Sequence, residues 1–349
     1  MHMLKKVLKF SILPVLVFPL FASPLSCDFL ADDAGVFASY DRGQNWEQKG
    51  QIDKDRSLNK ESVLSLSFDA GDPRIIYVGT EKGGLFKTLD GGDLWYLVED
   101  RNGVLSEDFS VYDIAIDQRD SNRVYLAALT DSYGRCFRSE DGGASWQEVY
   151  KTSQTGKIAS AVLINPADSS LVYMGTAEGG LLLSQDYGKS WKALQWFNSP
   201  ISDIAIHPLS SSTVLVSTAG GGIFRSADGG QTWQKLTAGE NNIEELRPMN
   251  SSGASFLAAS PSGLFKTSDQ GETWERVNIV IPPDSLPIIS SAINPQNSRE
   301  FYYGAGSVIY KTSDGGENWE VFPLPTTKEA SVIEINPHFA ENVLAGIRK

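Results

Sequence analysis

The chain has 349 residues, with 43 acidic side chains against 30 lysines and arginines, and a formal net charge of −13. That balance argues against nucleic acid and against an anionic lipid surface as the main partner, and fits a solvated acidic exterior. The two cysteines, Cys27 and Cys136, and the three histidines, His2, His207 and His338, have no metal-ligand spacing. Neither a metal nor any other cofactor is called for.

The first 26 residues read as a targeting segment. Lys5, Lys6 and Lys9 precede an apolar run from Phe10 to Ala22 that Pro14 and Pro19 interrupt. The run is too short for a membrane-spanning helix, so a secretory signal is expected, with one domain over residues 27–349. Two processing routes stay open. Pro24-Leu25-Ser26-Cys27 resembles a lipobox, which makes Cys27 a lipidation candidate and would anchor the protein. Cleavage after Ala22 would release it instead. Either way the location is extracytoplasmic, and the only membrane contact expected is through such a lipid.

The body of the chain is organised by one octapeptide, Ser/Thr-x-Asp-x-Gly-x-x-Trp. Its aspartates are Asp41, Asp90, Asp141, Asp186, Asp228, Asp269 and Asp314, and its tryptophans are Trp46, Trp95, Trp146, Trp191, Trp233, Trp274 and Trp319. The Asp carboxylate can accept N–H groups within its own turn, braced by the Ser/Thr hydroxyl, and the Gly supplies a positive φ. The Trp opens the returning strand and buries a ring. Seven equivalent acids are turn staples rather than catalytic groups, because one active site does not need seven.

The copies lie 41 to 51 residues apart, a period that with short strands means a propeller. One unit runs through strands at residues 63–68, 75–80, 84–88 and 95–98. The first strand alternates, and the second is apolar enough to be buried on both faces. Residues 28–50 carry only the last strands of a blade, and residues 330–349 only the first strands. The stretch from Asp314 to the end and the stretch from Cys27 to Asp41 together make one further interval. An all-β, seven-bladed propeller of four-stranded blades is expected, with one blade shared between the termini.

The octapeptide is the Asp-box, or BNR repeat, and the chain resembles four families that carry it. These are sialidases, xyloglucan-active endoglucanases, sortilin-type receptors and the photosystem II assembly factors of cyanobacteria and plastids. Tyr77-Val78-Gly79-Thr80 and Tyr173-Met174-Gly175-Thr176 are similar to the sortilin and endoglucanase blades. The overall plan, a single signal-bearing propeller, is similar to the assembly factors. That resemblance implies an exported propeller that holds another protein. The sialidase resemblance would require an Arg-Ile-Pro start, and the nearest string, Pro73-Arg74-Ile75, is reversed.

In such a blade the Asp-box shares one face of the disc with the first–second strand turns. Binding residues are expected on the opposite face, where the loops at residues 100–109 and 131–135 look irregular. Asp32, Asp33, Glu81, Lys82 and Glu178 line the second–third strand loops there. Trp196, Phe197, Tyr133, Arg135 and Arg101 are the candidate partner contacts, because aromatics and arginine dominate interface hot spots. The expected function is a monomeric, non-enzymatic scaffold with a protein partner. The alternative is a carbohydrate-binding protein or a sialidase- or xyloglucanase-like glycoside hydrolase, whose acids could form a carboxylate pair.

Overall fold

The computed structural model describes residues 33–349, except 54–55, 107, 237–241, 250–253 and 283–284. Cys27, Asp32 and the whole targeting segment lie outside the described residues. Seven four-stranded antiparallel sheets form an all-β propeller, and one 3-10 turn, Leu58–Lys60, is the only helical element among the described residues. Blades one to six begin in turn at Val63–Phe68, Ser110–Ile116, Ala159–Ile164, Ile201–His207, Glu245–Pro248 and Ile288–Ile293. The seventh is split as expected. Its first two strands are Glu329–Ile335 and Val343–Arg348, and its last two are Gly35–Ser39 and Glu47–Gln48. The joint is a full ladder from Gly35 opposite Ile347 to Ser39 opposite Val343.

Stacking of the blades explains the composition of the second strands. Ile76–Thr80, Val172–Thr176, Phe256–Ser260 and Phe301–Ala305 are buried along their whole length, because another blade covers each face. In most blades a glycine near the end of the second strand sets how closely the next blade can approach. A Cβ on Gly79 would stand 2.7 Å from Cβ of Val111, and one on Gly346 would stand 2.4 Å from Cγ1 of Val63. Fourth strands are short and charged, down to Gln234–Lys235 and Glu275–Arg276, as suits the outer edge.

The Asp-box closes as a network of its own. In blade four Ser226 Oγ donates to Asp228 Oδ1 at 2.7 Å and accepts from the Gly230 N–H at 2.7 Å. Asp228 Oδ1 accepts the Thr232 N–H at 2.9 Å, and Oδ2 accepts the Thr232 hydroxyl at 2.7 Å. The hydroxyl-to-carboxylate and glycine-to-hydroxyl bonds recur in all seven boxes. Gly230 has φ of 99°, and its vacant Cβ position lies 3.5 Å from the Trp233 ring. Every box is tied to the first–second turn of its own blade, as Gly229 N is to Ser212 O at 2.9 Å, so both share one face. Only in the first blade does the Trp itself open the fourth strand. In the second, Trp146 N–H is taken by the Asp100 carboxylate at 2.9 Å rather than by the third strand.

Candidate functional site

The seven first strands surround a central channel with a cavity of about 530 Å³. Six of them carry a register shift just before a recurrent position, for example between Val111 and Asp113 and between Ile201 and Asp203. Side chains at or beside this bulge link each first strand to the next. Ser65 Oγ donates to Val111 O at 3.1 Å, Ser160 Oγ to Ile201 O at 2.8 Å, Ser290 Oγ to Ala330 O at 2.9 Å and Ser331 Oγ to Val63 O at 2.7 Å. Asp113 accepts the Val162 N–H at 2.8 Å, Asp203 the Leu246 N–H at 2.8 Å, and Glu245 the Ser291 N–H at 2.6 Å. The seven links close a ring around the channel.

One cation joins the acids. Arg247 Nη2 lies 2.6 Å from Glu245 and 2.7 Å from Glu334, tying the fifth blade to the seventh. The Arg247 side chain is 29% exposed, so the cluster borders the channel space rather than dry core. Burial pushes the Asp113 carboxyl up to about 6 and the Asp203 carboxyl up to about 8. Backbone N–H groups oppose both shifts, from Val162 and Ile114 at Asp113 and from Leu246 at Asp203, and burial outweighs them. Burial also raises Glu334, against the nearby Arg247. Partial desolvation works against the Arg247 charge, and the surrounding carboxylates outweigh it and keep the group protonated.

Sequence reasoning missed this ring. Its signal is one polar residue per repeat in an otherwise apolar inner strand, as in Val111-Tyr112-Asp113-Ile114-Ala115-Ile116. Chemically, Asp203 is a carboxyl whose proton affinity is raised by its surroundings. Both of its oxygens are already engaged, by Ile204 N at 2.7 Å and Leu246 N at 2.8 Å.

The five candidate contact residues fall in different settings. Trp196 ends the fourth strand of blade three, Lys192–Trp196, on the face opposite the Asp-boxes, and is 56% exposed. Its ring covers Gly180, where a Cβ would stand 2.8 Å from it. Phe197, one residue on, is 6% exposed and packs on Phe224 and edge-on to Trp233. It closes the core between blades three and four, which corrects its reading as a contact residue. Tyr133 opens the third strand of blade two beneath Lys151 Nζ, 3.9 Å from its ring centroid. Arg135 lies on the same strand, held by Asp131 at 2.9 Å and Glu148 at 2.5 Å.

The loop at 131–135 is not irregular. Asp131 and Ser132 both have positive φ, so it is a two-residue hairpin turn between Val124–Thr130 and Tyr133–Ser139. Arg101 is displaced from the expected face. Its N–H donates to Ala144 O at 3.2 Å, inside the next blade's Asp-box, because Asp100 winds the loop back through the N–H groups of Asn102, Val104 and Leu105. Asp33 is buried, and accepts from Thr326, Thr327 and Lys328 at the entry to the shared blade.

Comparison with known proteins gives two kinds of likeness. The family model described as photosynthesis system II assembly factor YCF48 matches residues 196–336, less than half of the chain, and the sortilin model matches residues 134–222. A xyloglucanase from Paenibacillus sp is 28% identical over 159 residues, which is 40% of this chain and 15% of that protein. The chain therefore spans a small part of the curated relatives it matches. Among solved structures, the GH74 xyloglucanase from Xanthomonas campestris superposes with a TM-score of 0.71 at 15% identity, over 86% of this chain and 51% of that one. YCF48 from Cyanidioschyzon merolae superposes at 0.62 and 16% identity, over 82% of this chain and 95% of that one. A structure of YCF48 bound to D1 peptide superposes at 0.60 and 18% identity, over 83% and 94%. The chain is a seven-bladed Asp-box β-propeller that resembles the assembly factors and sortilin in sequence, and YCF48 and the GH74 xyloglucanases in fold.

Proposed function

We propose that the protein is an exported, non-enzymatic binding propeller that holds a protein partner through the face opposite the Asp-boxes. The observation that carries this reading is the state of the channel acids. Asp113, Asp203, Glu245 and Glu334 are committed to neighbouring inner strands or to Arg247, which fits a structural ring rather than a hydrolytic pair. Trp196 is the centre of the proposed contact surface, because a large exposed ring on a rigid sheet end is what interface hot spots use. Tyr133 with Lys151 extends it. A polypeptide on this fold has a precedent in the complex of YCF48 with D1 peptide. Export by the first 26 residues, with or without a lipid on Cys27, belongs to the same proposal.

One observation favours the rival, a glycoside hydrolase. Burial pushes the Asp203 carboxyl up to about 8, the direction a general acid needs. The readings separate in one experiment. The purified protein is incubated with xyloglucan, other polysaccharides and sialosides, while a pull-down is run from membrane extract. A partner captured by the protein and lost on Trp196→Ala plus Tyr133→Ala, with folding intact, supports the binding reading. Release of reducing sugar or sialic acid that disappears with Asp203→Asn overturns it.

A further inference from the structure

On the Asp-box face each blade reaches toward the next through a cross-strand row. In blade one the row is Ser67, Tyr77, Lys87. Tyr77 Oη donates to Gly142 O in the next Asp-box at 2.7 Å, and Lys87 Nζ donates to the same oxygen at 2.8 Å. Tyr173 Oη reaches Gly229 O and Tyr302 Oη reaches Arg42 O, both at 3.3 Å. Tyr125 fills the same place against Gly188, where a Cβ would stand 2.7 Å from its ring. These four tyrosines occupy the second-strand position of their rows.

Three rows carry leucine there instead, and two of them compensate from the third strand. Leu215 is paired with Arg225, whose guanidinium reaches Gln270 of the next Asp-box at 3.0 Å. Leu257 is paired with Lys266, whose Nζ reaches Gly315 O at 3.5 Å. The seventh row has neither device. It reads Glu334, Leu344, Ala38, so both the ring and the long cation are missing. A cavity of about 390 Å³ lies there, lined by Phe68, Ile76, Leu344 and the backbone of Gly91, with Tyr40 and Phe339 at its mouth. Those two rings are 46% and 51% exposed. Among the described residues no donor reaches the Gly91 carbonyl, which occupies the place of Gly142, Gly229 and Arg42 in the other boxes.

We propose that the seam between the seventh and first blades binds a tyrosyl side chain of a partner polypeptide, in the place the protein's own tyrosines fill at four other seams. The ring would lie on Phe68, Ile76 and Leu344 between Tyr40 and Phe339, and its hydroxyl would donate to Gly91 O. The phenol suits the site because it supplies an apolar body and one donor, the two things the empty row lacks. The peptide flanking the ring meets a lip of both signs, with Lys49, Arg74 and Asp93 beside the mouth. This site lies on the Asp-box face and is independent of the Trp196 surface.

The test is a random peptide library displayed on phage and panned against the full-length protein and its Leu344→Tyr variant. The variant supplies the missing ring from within and should melt no lower than the parent. Tyrosine enriched at least tenfold at one fixed position on the parent, and not on the variant, is the expected result. A second measurement uses N-acetyl-tyrosinamide as the probe, with saturation-transfer NMR reading a signal that Leu344→Tyr abolishes. If that variant fails to fold, Tyr40→Ser plus Phe339→Ser at the exposed mouth takes its place and should cut the enrichment to background. No tyrosine preference on the parent, or one that the variants leave unchanged, overturns the site. Trp196→Ala leaves this selection intact, so failure of the opposite-face reading and failure of this one are told apart.

Discussion

Arg247 and Glu334 stand 2.7 Å apart although they belong to the fifth and seventh blades, with the whole sixth blade between them along the chain. The contact crosses the channel edge and adds a brace that no sequential pair of blades provides. Both side chains are largely shielded from water, so removing one partner strands the other. Arg247→Met should destabilise the propeller by about 2–4 kcal/mol in urea unfolding. Glu334→Gln should cost less, because Glu245 still holds the guanidinium at 2.6 Å. A loss below about 0.5 kcal/mol for Arg247→Met would place the pair among ordinary surface ion pairs.

The channel acids set a pH dependence with a definite sign. Asp113 and Asp203 have folded-state values of about 6 and about 8, above the unfolded carboxyl range. The native state therefore binds more protons than the unfolded chain between about pH 4 and those values, and stability falls as pH rises through that window. The Asp-box acids act oppositely. Hydrogen bonds from Ser190 and Thr273 hold Asp186 and Asp269 down at about 2, so their contribution is lost as pH falls through that region. Melting temperature should peak in mildly acidic buffer and decline toward pH 9. Asp203→Asn should flatten the decline above pH 6 whatever it does to the absolute value. An unchanged slope in that variant would show that Asp203 ionises normally.

The sequence carries the ring and its closure openly, because a hairpin staple needs a fixed residue at each of four positions and the spacing repeats. Asp228, Gly230 and Trp233 announce a turn wherever they stand, and the split blade follows from counting intervals. The channel ring is written in a weaker script. Asp113 and Asp117 are four residues apart in one inner strand and its turn, and only the bulge at Tyr112 assigns the first to the neighbouring strand while the second pairs with Arg123 at 2.6 Å. Phe197 and Trp196 are adjacent, yet one is core and the other surface, because the strand ends between them and the Phe197 N–H turns back to Gly179 O at 2.7 Å. Arg101 sits off the expected face for a similar reason. A loop's face depends on where its cap, here Asp100, folds it.

Within the Asp-box the hydroxyl is better buried than the acid. Ser226 is 1% exposed and makes both the carboxylate and the glycine contact, whereas Asp228 is only partly buried. Ser226→Ala leaves the Gly230 N–H without its acceptor and should cost about 1–3 kcal/mol. Trp146 is equally buried, and Trp146→Ala should cost about 3–5 kcal/mol through the cavity it leaves. Both are read by denaturant midpoints. Binding by the folded fraction should persist in each, since neither side chain reaches a proposed contact. A folded Ser226→Ala protein with normal stability and lost binding would make the Asp-box a ligand site.

The shared blade offers the sharpest test of the architecture. Residues 331–349 supply nearly all of its first two strands, and the third strand, Gly35–Ser39, pairs directly with them. Deleting them would leave that strand without its inner neighbour and uncover Val63, Leu66 and Leu58 of the first blade's core. The product should lose the parent's elution peak on size exclusion and aggregate. Gly346→Val probes the same seam without removing chain. Its branched side chain would start 2.4 Å from Val63 Cγ1, so the seventh and first blades must move apart, at a cost of about 1–3 kcal/mol. The equivalent Gly79→Val change meets Val111 at 2.7 Å, in a blade whose four strands follow one another along the chain. Both variants should lower the melting temperature. Only Gly346→Val should speed proteolysis of the terminal strands, because Gly346 lies in Val343–Arg348, which only hydrogen bonds and packing join to Gly35–Ser39. Equal proteolysis in the two variants would mean that the ring opens as one unit.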